Sequence, residues 1–260
     1  MPRALNLLRR TVHYRRESFD LGLQAAGFDL ADRIDRPAPA DLLLCWNRYG
    51  AAAEMADHFE RHGARVLVVE NNPLGNDMHG GSYSIARRHV AMTGGTWPEG
   101  GPDRWNAWPE RWDSWGIKLQ PFRTGGAETV ILAQRGIGHP DAASPAGWAE
   151  SAQRRFGGRI RPHPGTGPAL ALADDLEFAR EVITWSSAAA LQALAMGVPV
   201  WHEHPKFIGA PAARAVSRWG AGAMRDENVR LAVFRRLAWA IWTLDEIRSG
   251  QAIRTVLGEQ

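Results

Sequence analysis

Two short runs, residues 40–46 and 65–69, are apolar without alternation, and between them residues 51–61 have helix-forming composition closed by His62-Gly63. A strand with no polar face is covered on both sides, and strand, helix, strand in this order makes the two strands parallel. The same order returns in the second half. A strand over 129–134 is followed by a helix over 146–156, which Ser144 caps and Pro145 opens, and then by a short strand over 159–161. A strand over 182–185, a helix over 187–196 and a strand over 198–201 complete it. An apolar run at 4–8 and a helix over 17–26, stopped by Gly27, precede the first pair. The fold expected is α/β with two Rossmann-like domains, residues 1–122 and 123–225. Residues 226–260 form a C-terminal amphipathic helix, whose stripe of Val229, Val233, Leu237, Ile241 and Leu244 packs back on the first domain. Its arginines form the solvated face, and Trp239 and Trp242 add packing surface.

Between residues 78 and 123 the regular signal fades, and Trp97, Trp105, Trp108, Trp112 and Trp115 are spread among Gly, Pro and polar residues. Such tryptophan content argues against disorder. The rings either pack an irregular loop, with Trp108, Trp112 and Trp115 on one face of a short helix, or wall a site that stacks on a sugar or an unpaired base. At 260 residues and 45% hydrophobic content the chain can bury real cores. Cys45 is the sole cysteine, which excludes an internal disulfide, and its apolar neighbours make it a buried structural thiol. The formal charge of +3, with arginines crowding the start of the chain and residues 154–161, permits a polyanionic partner. No apolar run has the length of a secretory core or a membrane span, so a cytoplasmic protein without membrane insertion is expected.

Strand-to-helix junctions in an open parallel sheet lie at the carboxyl ends of the strands, where ligands bind, and helix starts there favour phosphate. In the second half the residues at such junctions are Arg135-Gly136, the turn Arg161-Pro162-His163-Pro164, and Ser186-Ser187. Two prolines restrict the backbone around His163 and aim its ring. In the first half, Asn47, Arg48 and Tyr49 follow one strand, and Glu70, Asn71 and Asn72 follow another. A transfer that inverts configuration needs a group to take the proton of the acceptor hydroxyl. Glu70 is the first candidate and Asp77 the second, with His79 and Tyr83 as further ones. His202 and His204 lack additional ligands at a metal-binding spacing, which leaves them in a polar loop and the metal list empty.

Over residues 129–201 the His-Pro turn, strand, Ser-rich turn, helix and Gly197-Val198-Pro199-Val200 strand resemble the carboxyl-terminal, nucleotide-sugar-binding half of GT-B-type glycosyltransferases. The capsule-polysaccharide group that includes Kdo transferases is the most similar. The chain is also similar to short phage-encoded proteins that share Trp46-Asn47-Arg48, Val69-Glu70-Asn71 and Gln134-Arg135-Gly136-Ile137-Gly138. The resemblance implies a nucleotide-sugar donor, a UDP-sugar being favoured, held by Arg135, Gly136, Arg161, His163, Ser186 and Ser187, with no cofactor required. It implies an acceptor side formed by Asn47, Arg48, Tyr49, Asn71 and Trp97. The phage likeness points to 5-hydroxymethylpyrimidine in DNA as acceptor; the alternatives are a polysaccharide or lipid-linked sugar, an epimerase-like reaction on the nucleotide sugar, or a non-catalytic nucleotide-binding protein. The chain is short for a two-domain GT-B enzyme and lacks the Glu-x7-Glu donor signature of many retaining glycosyltransferases, which leaves the stereochemistry of transfer unassigned.

Overall fold

The computed structural model describes residues 1–75, 77–87, 109–138, 142–167 and 170–258, which divide into two units. The first opens with strand β1 (Arg3–Asn6), helix α1 (Arg16–Ala25), β2 (Asp29–Leu30), β3 (Leu42–Trp46), helix α2 (Ala51–Arg61), β4 (Arg65–Asn71) and β5 (Ser82–Arg87). Strands β2, β1, β3 and β4 are parallel neighbours in that order. The missing alternation in β3 and β4 has the cause expected. Leu42, Leu44, Leu67 and Val69 join Phe19 and Leu23 of α1 in one cluster, while Leu43, Cys45, Val66 and Val68 join Ala56 and Phe59 of α2 in another. Burial pushes the Cys45 thiol up to about 12, so it stays protonated and unreactive.

The second unit holds helix α3 (Pro109–Ser114), β6 (Glu128–Leu132), α4 (Trp148–Phe156), β7 (Arg159–Arg161), α5 (Leu172–Asp175), β8 (Ala179–Thr184), α6 (Ala188–Ala195), β9 (Val200–His202), β10 (Arg214–Ala215) and α7 (Glu227–Ala238). Its sheet runs β10-β9-β8-β6-β7, parallel throughout. Trp112 meets Phe234 of α7 edge to face at 6.0 Å, and Trp115 is buried, so these two rings are packing residues. Trp97, Trp105 and Trp108 lie outside the described residues.

Three expectations need correction. β5, unread in the sequence, pairs antiparallel with β4, so the first sheet is not purely parallel. The helix expected over 226–260 is instead α7, β11 (Ile241–Thr243), α8 (Leu244–Arg248) and α9 (Gln251–Leu257). The chain rejoins the first unit at Trp239, and β11 adds to β5 antiparallel. Ile, Trp and Thr favour a pleated edge, and Thr243-Leu244-Asp245-Glu246 restarts a helix. Thr243 Oγ1 accepts the Glu246 N–H at 3.2 Å while the Glu246 carboxylate accepts the Thr243 N–H at 2.8 Å, a reciprocal capping box. Thr243→Ala should therefore destabilise the first unit by about 1 kcal/mol, read as a lower urea midpoint at unchanged slope. Lastly, Arg230, expected on a solvated face, is 1% exposed. Its guanidinium lies 4.1 Å from the Phe122 ring centroid, pairs with Glu227 and donates to the Leu194 carbonyl at 2.8 Å.

Candidate functional site

In the second unit β7, β6 and β8 are adjacent and parallel, so the segments that follow them leave one edge together. Gly136 has φ +65°, and a Cβ there would come 3.1 Å from the Ser144 carbonyl oxygen, so the turn after β6 needs glycine. Gln134 Oε1 accepts the Ser186 N–H at 2.9 Å, tying the β6 turn to the β8 turn. Thr184 Oγ1 accepts the Ser187 N–H at 2.8 Å, and Ser187 Oγ accepts the Ala189 N–H at 3.2 Å. Ser187 is thus the cap of α6, and Ser186 is buried beside it.

His163 stands two residues past β7. The Gly165 N–H donates to its Nδ1 at 2.9 Å, which makes Nδ1 the acceptor and leaves the ring proton on Nε2. Burial lowers its basicity first, and the guanidinium groups of Arg135 and Arg161 lower it further. The ring is therefore neutral at physiological pH and offers an Nε2–H donor. Arg135 reaches the same corner: a Cβ on Gly165 would lie 3.1 Å from His163 Nδ1 and 3.5 Å from Arg135 Nη1. Arg161 does not join them as an open cation. Its Nε pairs with Asp175 at 2.5 Å, both side chains being under a tenth exposed, and its Nη2 donates to the Leu170 carbonyl at 3.0 Å. It braces the turn that carries His163.

A cavity of about 360 Å³ opens beside this corner, lined by Arg135, Gly136, Ser144 and Gly147. Ser144 does not cap the helix as expected; α4 begins after Gly147, at φ +69° with no side-chain cap. The uncapped start of α4 and Arg135 line this cavity together, a favourable setting for negative charge that Glu150 of the first helical turn, also in the lining, partly fills. Gly147 escaped sequence reasoning because Ser-Pro is the stronger start signal. His202 and His204, expected in a polar loop, are buried. His202 Nδ1 bonds the His204 carbonyl at 2.9 Å, and His204 Nδ1 accepts the Lys206 N–H at 3.0 Å. Among the described residues there is no group of three or more metal-ligating side chains.

In the first unit, β4 runs on to Asn71, so Glu70 lies inside the strand rather than after it. It shares the parity of Val66 and Val68, the α2 side of the sheet. Its Oε2 is buried without a hydrogen-bond partner, and desolvation pushes its pKa up to about 8. Asn47, at φ +56°, donates its N–H to the Val69 carbonyl at 3.2 Å. It therefore stands opposite Glu70 when the β3–β4 register is continued. Asn47 Oδ1 is likewise buried and unpartnered. Two unsatisfied polar side chains thus share one sheet edge, where burial without a partner is otherwise destabilising.

The other acceptor-side residues divide. Arg48, 9% exposed, donates to Glu60 at 2.6 and 2.9 Å and to Asp57 at 2.6 Å, so its guanidinium is bound to α2. Tyr49 is exposed. Asn71 pairs in register with Tyr83, whose hydroxyl donates to the His13 carbonyl at 2.6 Å. Asp77 and His79 are exposed in the turn before β5, and Trp97 lies outside the described residues. Asn72, not among the chemical candidates, is structural: its Nδ2 donates to Ser82 Oγ at 2.8 Å and its Oδ1 accepts the Leu74 N–H at 2.9 Å.

No family model matches the chain, and no curated protein matches it either. Solved structures do. The beta Kdo 2,7 transferase of KpsC from Thermosulfurimonas dismutans is similar with a TM-score of 0.57 at 14% identity, covering 92% of this chain and 90% of that one. The beta Kdo 2,4 transferase of KpsC from the same organism is similar with a TM-score of 0.53 at 14% identity, covering 91% and 90%. At that identity the likeness is one of fold: two α/β bodies built on largely parallel sheets, as in GT-B-type proteins.

Proposed function

We propose that this chain is a glycosyltransferase that takes a sugar from a nucleotide-sugar donor and gives it to a hydroxyl, with the donor phosphates at the β6–β7–β8 edge of the second unit. The observation that carries the reading is the corner where the fixed Nε2–H donor of His163 meets the Arg135 guanidinium. In transfer the bond from the anomeric carbon to the donor phosphate oxygen breaks, the acceptor oxygen bonds to that carbon, and the acceptor proton leaves to a base. Charge grows on the departing phosphate, where a fixed cation and fixed N–H groups stabilise it without reorganisation. Gly136 lets the backbone approach, Ser186 and Ser187 present the α6 start, and Arg161 positions the His163 turn. The fold likeness to Kdo transferases supports the same class.

On the first unit we assign the acceptor proton to Glu70, with Asn47, Tyr49 and Asn71 alongside; Asp77 is the second candidate for the base. A carboxylate with pKa about 8 is a stronger base than an exposed one once ionised. A UDP-sugar is the favoured donor and 5-hydroxymethylpyrimidine in DNA the favoured acceptor, the latter on the net charge of +3. Binding to DNA that does not weaken with salt would count against that acceptor and favour a saccharide.

Thermal shift with UDP-, GDP-, CMP- and dTDP-sugars tests the donor site. At a hundredfold excess over Kd the matching donor should stabilise the wild type by about 2.7 kcal/mol. Arg135→Ala and His163→Ala should each remove most of that response while leaving the unliganded melting temperature within a few degrees. Stabilisation that survives both substitutions puts the donor elsewhere.

A further inference from the structure

A second basic pocket lies in the first unit. The turn from β1 to α1 and the end of α8 enclose a cavity of about 340 Å³ lined by Arg10, Arg15, Arg16 and Arg248. Two of these cations are held in place. Arg16 donates to the Leu8 carbonyl at 2.8 Å and to Asp20 at 3.4 Å, and Arg248 donates to Ser18 Oγ at 3.2 Å and to Asp245 at 3.1 Å. Arg10 and Arg15 are exposed. Arg15 has φ +48° and ψ +37°, a left-handed conformation that a long side chain rarely adopts and that recurs at binding sites. It occupies the N-cap of the ten-residue α1, and no side chain caps that helix, so the positive end of the helix adds to the four guanidinium groups. The carboxylates that also line the pocket are Glu17 and Asp20. Asp20 is taken by Asn6 Nδ2 at 2.7 Å and by Arg16, and Glu17 is exposed.

We propose that this pocket binds a phosphate group, held by Arg10 and Arg15 against the pre-set guanidinium groups of Arg16 and Arg248, and that the phosphate belongs to the sugar acceptor. Planar guanidinium forks match phosphate oxygens in pairs. The turn that carries Arg10 and Arg15 also carries His13, whose carbonyl accepts the Tyr83 hydroxyl at 2.6 Å, and Tyr83 is the register partner of Asn71, so the pocket adjoins a residue assigned to the acceptor side. The role in acceptor binding rests on the transferase reading; phosphate binding itself does not.

The test is calorimetric titration of the full chain carrying Arg135→Ala with inorganic pyrophosphate, which removes the donor edge from the measurement. Binding is expected in that background. Arg10→Gln and Arg15→Gly should each weaken it about tenfold, the loss of roughly one charge-assisted contact. Arg15→Gly suits φ +48° and should not lower the melting temperature, so its loss of binding cannot be blamed on unfolding. Absence of binding in the Arg135→Ala background, undiminished binding in both pocket variants, or an equal loss in Arg154→Gln on the second unit overturns the proposal. Competition by glycerol 3-phosphate or by a 5′-phosphorylated oligothymidylate upholds it and identifies the carrier. Pyrophosphate binding in this background, with no nucleotide-sugar response in the wild type, would sink the transferase reading and leave this pocket standing.

Discussion

Gly22→Ala is expected to destabilise the first unit by about 3 kcal/mol, although alanine is the better helix former by about 1 kcal/mol. Gly22 lies in the middle of α1 and is buried. A Cβ there would come 2.0 Å from the Ile247 carbonyl oxygen and 3.0 Å from its carbon, with Ile253 Cδ1 at 3.4 Å. The obstruction is backbone of α8, so no rotamer relieves it and α1 must move off its partner. Phe19, Leu23, Ile247 and Ile253 share one apolar cluster, and separating them exposes surface worth about 25 cal/mol per Å². A fall in the urea midpoint of the transition reports the loss. An unchanged or higher midpoint would mean that α1 and α8 do not pack backbone to backbone here.

That close approach was not legible in the sequence, and the reason is general to this chain. The apolar runs at residues 42–45, 66–69 and 130–132 identify β3, β4 and β6 because both faces are buried there, whereas in β8 only Val182 and Ile183 carry that signal after the exposed Arg180. β5 escapes the same reasoning because Ser82 and Ser84 occupy buried positions, Ser84 bonded to the Glu70 carbonyl. β11 escapes because its apolar residues continue the stripe of α7 without a break in period. Only the pairing of Ile241 with Ser84 and Thr243 with Ser82 makes it a strand.

The candidate site divides in the same way. Placement at a sheet edge follows from strand order, so Arg135, His163 and the Ser186-Ser187 turn could be grouped before any coordinates. What each cation does depends on partners distant in sequence. Asp57 and Glu60 take Arg48, Asp175 takes Arg161, and the Leu194 carbonyl takes Arg230. Composition counts these arginines as surface charge; burial turns them into braces. Arg135, which reaches the His163 corner, remains exposed.

Wild-type stability should fall as pH rises from about 4.5 to about 8, and Glu70→Gln should abolish that component. The Glu70 carboxyl titrates at 4.5 in an ordinary setting and at about 8 in the fold. Between those values the native state keeps the proton and the unfolded chain does not. Stability is therefore full below pH 4.5 and is lost through the window at up to about 1.4 kcal/mol per pH unit, levelling off above 8. Glutamine has nearly the shape of the protonated acid and does not titrate. The difference between Glu70→Gln and wild type should be near zero at pH 4.5 and favour the variant by several kcal/mol at pH 8.5. Taking the difference cancels the histidines: burial lowers His163 and His202, which contributes the opposite slope in both proteins. A flat difference would show that Glu70 is ionised in the native state, with a partner for Oε2. Activity separates the roles. If Glu70 takes the acceptor proton, wild-type turnover rises with pH toward 8, following the ionised fraction, while the more stable Glu70→Gln is inactive across the range. Retained activity in that variant moves the base to Asp77. Gain of stability with loss of turnover is what a group strained for function predicts, and a residue that only packs β4 against α2 would show the first without the second.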